Sequence, residues 1–185
     1  MTTEFLEFPK IARLAREIIV TEKIDGTNGV IYIGEDGEFL AGSRTQWLIG
    51  SDNHGFAKWA HEHKDELLAL GPGRHFGEWW GSGIQRGYGL PKGEKRFSLF
   101  NTSRWSDDAA RPACCHVVPV LYIGIFSTQA VNDVLDDLAQ RGSTAAPGFM
   151  KPEGVVIFHP QGNVGFKKTI EKDAEWKGKA ASAAA

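Results

Sequence analysis

Short apolar runs separated by glycine, proline and aspartate turns make up most of this chain, and two stretches carry a clear helical stripe. Glu17–Ile24 is rich in β-branched residues and predicts a strand that stops at the turn Asp25-Gly26. Val30–Ile33 and Glu38–Ala41 predict a hairpin around Gly34-Glu35-Asp36-Gly37. Ser51–Leu70 predicts a helix, with Phe56, Trp59, Ala60, Leu67, Leu68 and Leu70 as its apolar stripe and Gly71-Pro72 as its end. Arg74–Trp80, Arg96–Phe100 and His116–Ile125 predict further strands. Gly81–Gly93 reads as a glycine-rich loop, and Thr102–Pro112 as a polar surface loop. A second helix is expected from Ser127, its N-cap, to about Arg141, with Val131, Val134, Leu135 and Leu138 turned inward and Gly142 as the stop. Gly154–Phe158 and Asn163–Lys168 predict a last hairpin around Pro160-Gln161-Gly162. Phe5–Arg16 mixes apolar and basic positions and is expected to be a short helix or a docking segment. Strands dominate, which predicts an α+β domain with antiparallel sheets.

Composition narrows this picture. The chain has 185 residues, 42% of them hydrophobic, which suits one domain with a real core. We expect that domain to span residues 1–177, with a disordered tail over 178–185. The net charge of -2 does not announce nucleic-acid binding, although a local basic patch remains compatible with it. Cys114 and Cys115 are adjacent, so they cannot staple distant segments and lack zinc-site spacing; a reducing, cytoplasmic setting is expected. No apolar run is long enough to span a membrane, and the N-terminus lacks the layout of a signal peptide.

Candidate chemistry gathers at strand ends. Lys23 closes an apolar run in Glu22-Lys23-Ile24-Asp25-Gly26-Thr27-Asn28. A free lysine is mostly protonated near neutrality, so a nucleophilic one needs partial burial or cationic neighbours, which Lys167-Lys168 could supply. Glu78 sits inside the aromatic strand His75-Phe76-Gly77-Glu78-Trp79-Trp80, Phe100 ends Phe97-Ser98-Leu99-Phe100, and Glu153 heads the apolar run Gly154-Val155-Val156-Ile157. Each piece alone is weak, but their order is specific.

That order resembles the covalent nucleotidyltransferases, the polynucleotide ligases and capping enzymes, and among them the phage RNA ligase 2 family. The likeness runs from about Val20 to Thr169. It implies an ATP-grasp-like ligase adenylation domain with antiparallel sheets, flanking helices and no OB domain. It implies an ATP-dependent RNA ligase using Mg²⁺ or Mn²⁺, acting on RNA with 5′-phosphate and 3′-hydroxyl ends, as in RNA repair. By match, Lys23 would form lysyl-AMP and Glu22 would lie beside the adenine. Asn28 would approach the phosphate or ribose, and Arg44 the nucleotide and the RNA 5′-phosphate. Glu78 would bind the ribose hydroxyls, and Phe100 would stack on adenine. Glu153 would hold the metal and orient Lys23, while Lys167 and Lys168 would neutralise the phosphates.

The sequence departs from the family at two places. Phe166 falls where the first lysine of a Lys-x-Lys motif is usual, and Asn101 where an aspartate commonly follows the aromatic. Only Ile170–Ala185 follow the last motif, which is short for a second domain. Rival expectations are a minimal DNA ligase, a stand-alone polynucleotide adenylyltransferase, or a non-catalytic RNA-end-binding module. Candidate RNA contacts are Arg44, Trp47, Arg86, Lys92, Lys95, Arg96 and Arg104, with Trp79, Trp80 and Tyr88 as stacking surfaces. His54, His61 and His63 read as a solvated helix face rather than a metal cluster.

Overall fold

The computed structural model describes residues 4–171. Its elements in order are β1 (Glu17–Lys23), β2 (Thr27–Ile33), β3 (Phe39–Gly42), α1 (Phe56–Glu62), α2 (Lys64–Leu67), β4 (Gly73–Gly81) and β5 (Lys95–Leu99). They continue as α3 (Thr102–Trp105), β6 (Cys115–Val117), β7 (Val120–Ile125), α4 (Thr128–Arg141), β8 (Gly154–His159) and β9 (Val164–Thr169). The strands form one sheet in the order β7-β1-β8-β9 and another in the order β3-β2-β4-β5-β6. All pairings are antiparallel except β5 with β6.

Each sheet buries one face under its own helices. Ile18, Val20, Val155 and Ile157 pack on Val131, Leu135 and Leu138 of α4. Ser127 Oγ accepts the N–H of Ala130 to cap that helix, and Gly142, at φ 85, ends it. Ile31, Ile33, Trp79, Phe97 and Leu99 pack on Phe56, Ala60, Leu67 and Leu70 of the α1–α2 segment. A smaller cluster packs Trp80 of β4 with Ile24, Tyr88, Val118 and Ala146 from the connecting segments.

Four expectations are corrected. Phe5–Arg16 forms no helix, and Phe5, Leu6, Phe8 and Ile11 are exposed. Pro9 restricts Phe8 to extended backbone and withholds a donor, which explains this. The helix expected from Ser51 starts at Phe56, because Asn53, His54 and Gly55 take left-handed backbone, and it breaks at His63. His116–Ile125 is two strands. Val118-Pro119 divides them, so that β6 pairs with β5 in one sheet and β7 with β1 in the other. The Thr102–Pro112 loop contains α3, capped by the Asn101 side chain, with Trp105 buried beneath it. The tail expected over 178–185 lies outside the described residues.

Candidate active site

β1 delivers Lys23 as its last residue, opposite Gly154 of β8. That register brings Glu153 against the lysine, with Nζ 2.6 Å from Oε2. The pair is partly sheltered, at 23% and 18% side-chain exposure, a setting in which a charge pair is screened less than on an open surface. β9 runs on the other side of β8, pairing Gly154 with Thr169 and Val155 with Lys168. A Cβ on Gly154 would strike the Lys168 carbonyl oxygen and sit 2.7 Å from Thr169 Cα, so only glycine lets β9 close up here. One sheet therefore lines up the Lys23, Glu153 and Lys168 segments side by side.

The second sheet supplies a polar wall. Asn28 of β2 lies opposite Glu78 of β4, and its Nδ2 donates to Glu78 Oε2 at 2.8 Å. The Gly26 N–H donates to Glu78 Oε1 at 3.1 Å. Arg44 Nε donates to Asn28 Oδ1 at 2.6 Å, which fixes the amide's orientation. Asn53 accepts from Thr27 Oγ1 and donates to the Asn28 carbonyl, which explains why the first helix cannot begin before it. Gly26, Thr27, Asn28, Ser43, Arg44 and Glu78 line a cavity of about 360 Å³. Burial pushes the Glu78 carboxyl up to about 7, and the nearby Glu153 charge adds to this. The Lys23 charge, the Gly26 N–H and the Asn28 amide oppose it. The electrostatic coupling places Glu78, Lys23 and Glu153 in one neighbourhood.

Other residues singled out in the sequence are distributed differently. Glu22 is buried with both oxygens occupied: Ser143 Oγ donates to one at 2.6 Å, and the Thr144 and Ala145 N–H groups to the other at 2.8 and 2.9 Å. Phe100 is 42% exposed, and its N–H donates to the carbonyl of Phe76, itself 55% exposed. Because Ser98 lies opposite Glu78, strand alternation places both phenylalanines on the Glu78 face. The sequence reading missed Phe76 as a face residue; its position two before Glu78 was the available signal. Lys168 donates to Asn132 of α4, while Lys167 is exposed and, by register, on the opposite face from Lys168. Asn101 serves as the cap of α3.

The stacking surfaces need correction: Trp79, Trp80 and Tyr88 are all buried core residues. Several proposed RNA-contacting cations have internal partners. Arg104 donates to the Leu70 carbonyl and lies over Trp105, and Arg96 pairs with Glu94 over Trp80. Lys95 donates to the His54 carbonyl, and Arg86 pairs with Asp25 and Glu171. Trp47 packs beside Tyr32, while Arg44 and Lys92 remain exposed. His54, His61 and His63 form no metal cluster, and no group of metal-ligating residues of that kind occurs among the described residues.

Two sheets, each with a helical cover, and a lysine–glutamate pair beside a polar cavity define a nucleotidyltransferase-type domain. The chain belongs to the RNA ligase family, whose profile matches residues 16–172. Its fold is similar to RNA ligase of Naegleria gruberi. A mutant of that protein with AMP and Mn matches at TM-score 0.63 and 19% identity, over 84% of this chain and 50% of that one. A mutant with ATP and Mn matches at TM-score 0.64 and 20% identity, over 84% and 49%. The form with PPi matches at TM-score 0.61 and 18% identity, over 84% and 50%. The chain thus spans about half the length of these structures. No curated protein is significantly similar in sequence.

Proposed function

We propose that this domain carries out ATP-dependent RNA ligation through a covalent lysyl-AMP at Lys23. The observation that carries the reading is the Lys23–Glu153 pair at 2.6 Å, set beside the Glu78–Asn28–Arg44 wall. Lys23 Nζ attacks the α-phosphorus of ATP, an N–P bond forms, and the bond to the bridging oxygen breaks as pyrophosphate leaves. Glu153 orients Nζ and lies within reach of the proton it must lose. The AMP then moves to an RNA 5′-phosphate, releasing Lys23. A 3′-hydroxyl finally displaces AMP to form the phosphodiester.

The wall residues take binding roles in this reading. Ionised Glu78 accepts from the ribose hydroxyls, and Arg44 meets the phosphates of the nucleotide or the RNA end. Asn28 holds both side chains in place. Phe100 offers a face for adenine, a kind of contact worth about 1–3 kcal/mol. Glu22 borders the adenine side, and Lys167, on the Lys23 face by register, supplies positive charge for the phosphates, while Lys168 is held by Asn132 on the other face. Glu153 is a hard oxygen donor beside Lys23 and would hold a divalent cation such as Mg²⁺ or Mn²⁺. Such a cation supplies charge neutralisation on the polyphosphate. Free thiols at Cys114 and Cys115 and the use of ATP agree with a cytoplasmic setting. No helix among the described residues is long and apolar enough to cross a membrane.

The test is incubation with α-labelled ATP and Mg²⁺. Label should stay with the protein in an alkali-stable, acid-labile, amine-linked form, and Lys23→Ala should remove it. An unlabelled wild-type protein, or label that survives in Lys23→Ala, would sink the reading. Matched nicked RNA, nicked DNA and single strands then separate RNA ligase from DNA ligase and from an adenylyltransferase that stops before sealing.

A further inference from the structure

The Gly81–Gly93 loop supplies two residues that turn inward onto the nucleophile segment. Arg86 Nε donates to Asp25 Oδ2 at 3.0 Å, within the turn that follows Lys23. Its Nη1 donates to the Lys151 carbonyl at 3.2 Å, two residues before Glu153. Its Nη2 donates to Glu171 Oε2 at 3.1 Å, three residues after Lys168. One guanidinium thus ties together the three segments bearing Lys23, Glu153 and Lys168. Tyr88 works on the same turn: its hydroxyl accepts the Asp25 N–H at 2.9 Å and faces the Lys23 carbonyl at 3.5 Å.

The loop's backbone is unusual. Gln85, Gly87, Tyr88 and Gly89 all have positive φ, at 43, 67, 51 and 67°. A buried tyrosine at φ 51° is costly for an L-residue, and such strain persists where surrounding contacts over-determine it. Here those contacts run to the turn that carries Lys23.

We propose that Arg86 is a positioning residue for nucleotidyl transfer, bridging Asp25, Lys151 and Glu171 so that the Lys23 turn is fixed against the Glu153 strand. This rests on the reading of Lys23 as the adenylylated nucleophile. Arginine suits the task because its planar fork can serve several acceptors at once, which a lysine ammonium cannot match in geometry. In-line transfer is sensitive to small misplacements of the nucleophile, so loosening the bridge acts on the chemical step more than on ATP binding.

The test compares wild type, Arg86→Ala and Arg86→Lys in single-turnover lysyl-AMP formation across a range of ATP concentrations. Melting midpoints and acetic anhydride labelling of Lys23, relative to exposed Lys58, are measured on the same proteins. Arg86→Ala should lower the maximal rate about ten- to a hundred-fold, with half-saturating ATP changed by less than about three-fold. Arg86→Lys should recover part of the rate. Lys23 should label faster relative to Lys58 in Arg86→Ala, because its pairing with Glu153 is loosened. A wild-type rate in Arg86→Ala would overturn the inference. So would a lost rate accompanied by an unchanged labelling ratio and a lowered melting midpoint, the signature of general destabilisation. If wild type itself forms no adduct, the ligase reading falls and the labelling ratio alone decides whether Arg86 positions Lys23, an unchanged ratio rejecting it.

Discussion

Glu78 illustrates how a single side chain couples burial to chemistry. Its carboxyl, raised to about 7 chiefly by burial, is protonated below neutrality and ionised above it. In the proposed role at the ribose, only the ionised form accepts with both oxygens, so the half-saturating ATP concentration for lysyl-AMP formation should rise several-fold from about pH 8 to about pH 6. Glu78→Gln should flatten that profile. The same shift affects stability. The folded value lies above the ordinary 4.5, so the folded state keeps a proton that the unfolded chain has released. Stability from this source is present below the unfolded value and is lost as pH rises through about 7, by about 3 kcal/mol. Urea midpoints measured across that range should fall with pH in the wild type and less so in Glu78→Gln. Lys23, Asn28, Glu78 and Glu153 were expected together because their order resembles the motifs of the nucleotidyltransferases, and the structure brings Lys23 to Glu153 and Asn28 to Glu78. The inward turn of Arg86 and Tyr88 could not be read from the sequence, since a glycine-rich loop gives no period from which to read direction.

Among the elements, α4 and the β8–β9 pair decide how the Lys23 sheet is built. α4 was legible in full, from cap to stop, because a local N-cap and a 3.6-residue stripe specify it without help from the rest of the chain. Ser127→Ala removes the acceptor for the Ala130 N–H and should cost about 1 kcal/mol in urea unfolding. Gly154→Ala pushes a methyl into the backbone of β9. It should destabilise the domain by about 1–3 kcal/mol and slow lysyl-AMP formation, since the same register sets Glu153 against Lys23. The first helix was misread at its start because Asn53 gives its side chain to Thr27 and Asn28, a contact across 25 to 26 residues. The division of His116–Ile125 at Pro119 also depends on partners. Apolar character alone suits a strand in either sheet, and only the packed structure assigns β6 to one and β7 to the other.

At the scale of the whole molecule, Lys23 and Glu153 meet at the first sheet, and the cavity lined by Gly26, Asn28, Arg44 and Glu78 lies along the second. Arg44 and Lys92 stay exposed, while Arg86, Arg96 and Arg104 are committed to internal partners. Lysyl-AMP formation should therefore change little with salt. AMP transfer to an RNA 5′-phosphate should fall with a steep log–log slope as phosphate contacts are screened. Parallel rate measurements from low to moderate salt check this, and a shared slope for both steps would contradict it. The sequence by itself determined the strand-rich α+β class, the α4 helix, both hairpins and the ordered set of charged residues. These are written in local periodicity, turn residues and spacing along the chain. Tertiary structure alone decided which side chains meet: Lys23 with Glu153, Glu78 with Asn28 and Arg44, Glu22 with the 143–145 turn, and Arg86 with three separate segments. Those meetings depend on sheet register and on burial, and both arise only when distant parts of the chain pack together.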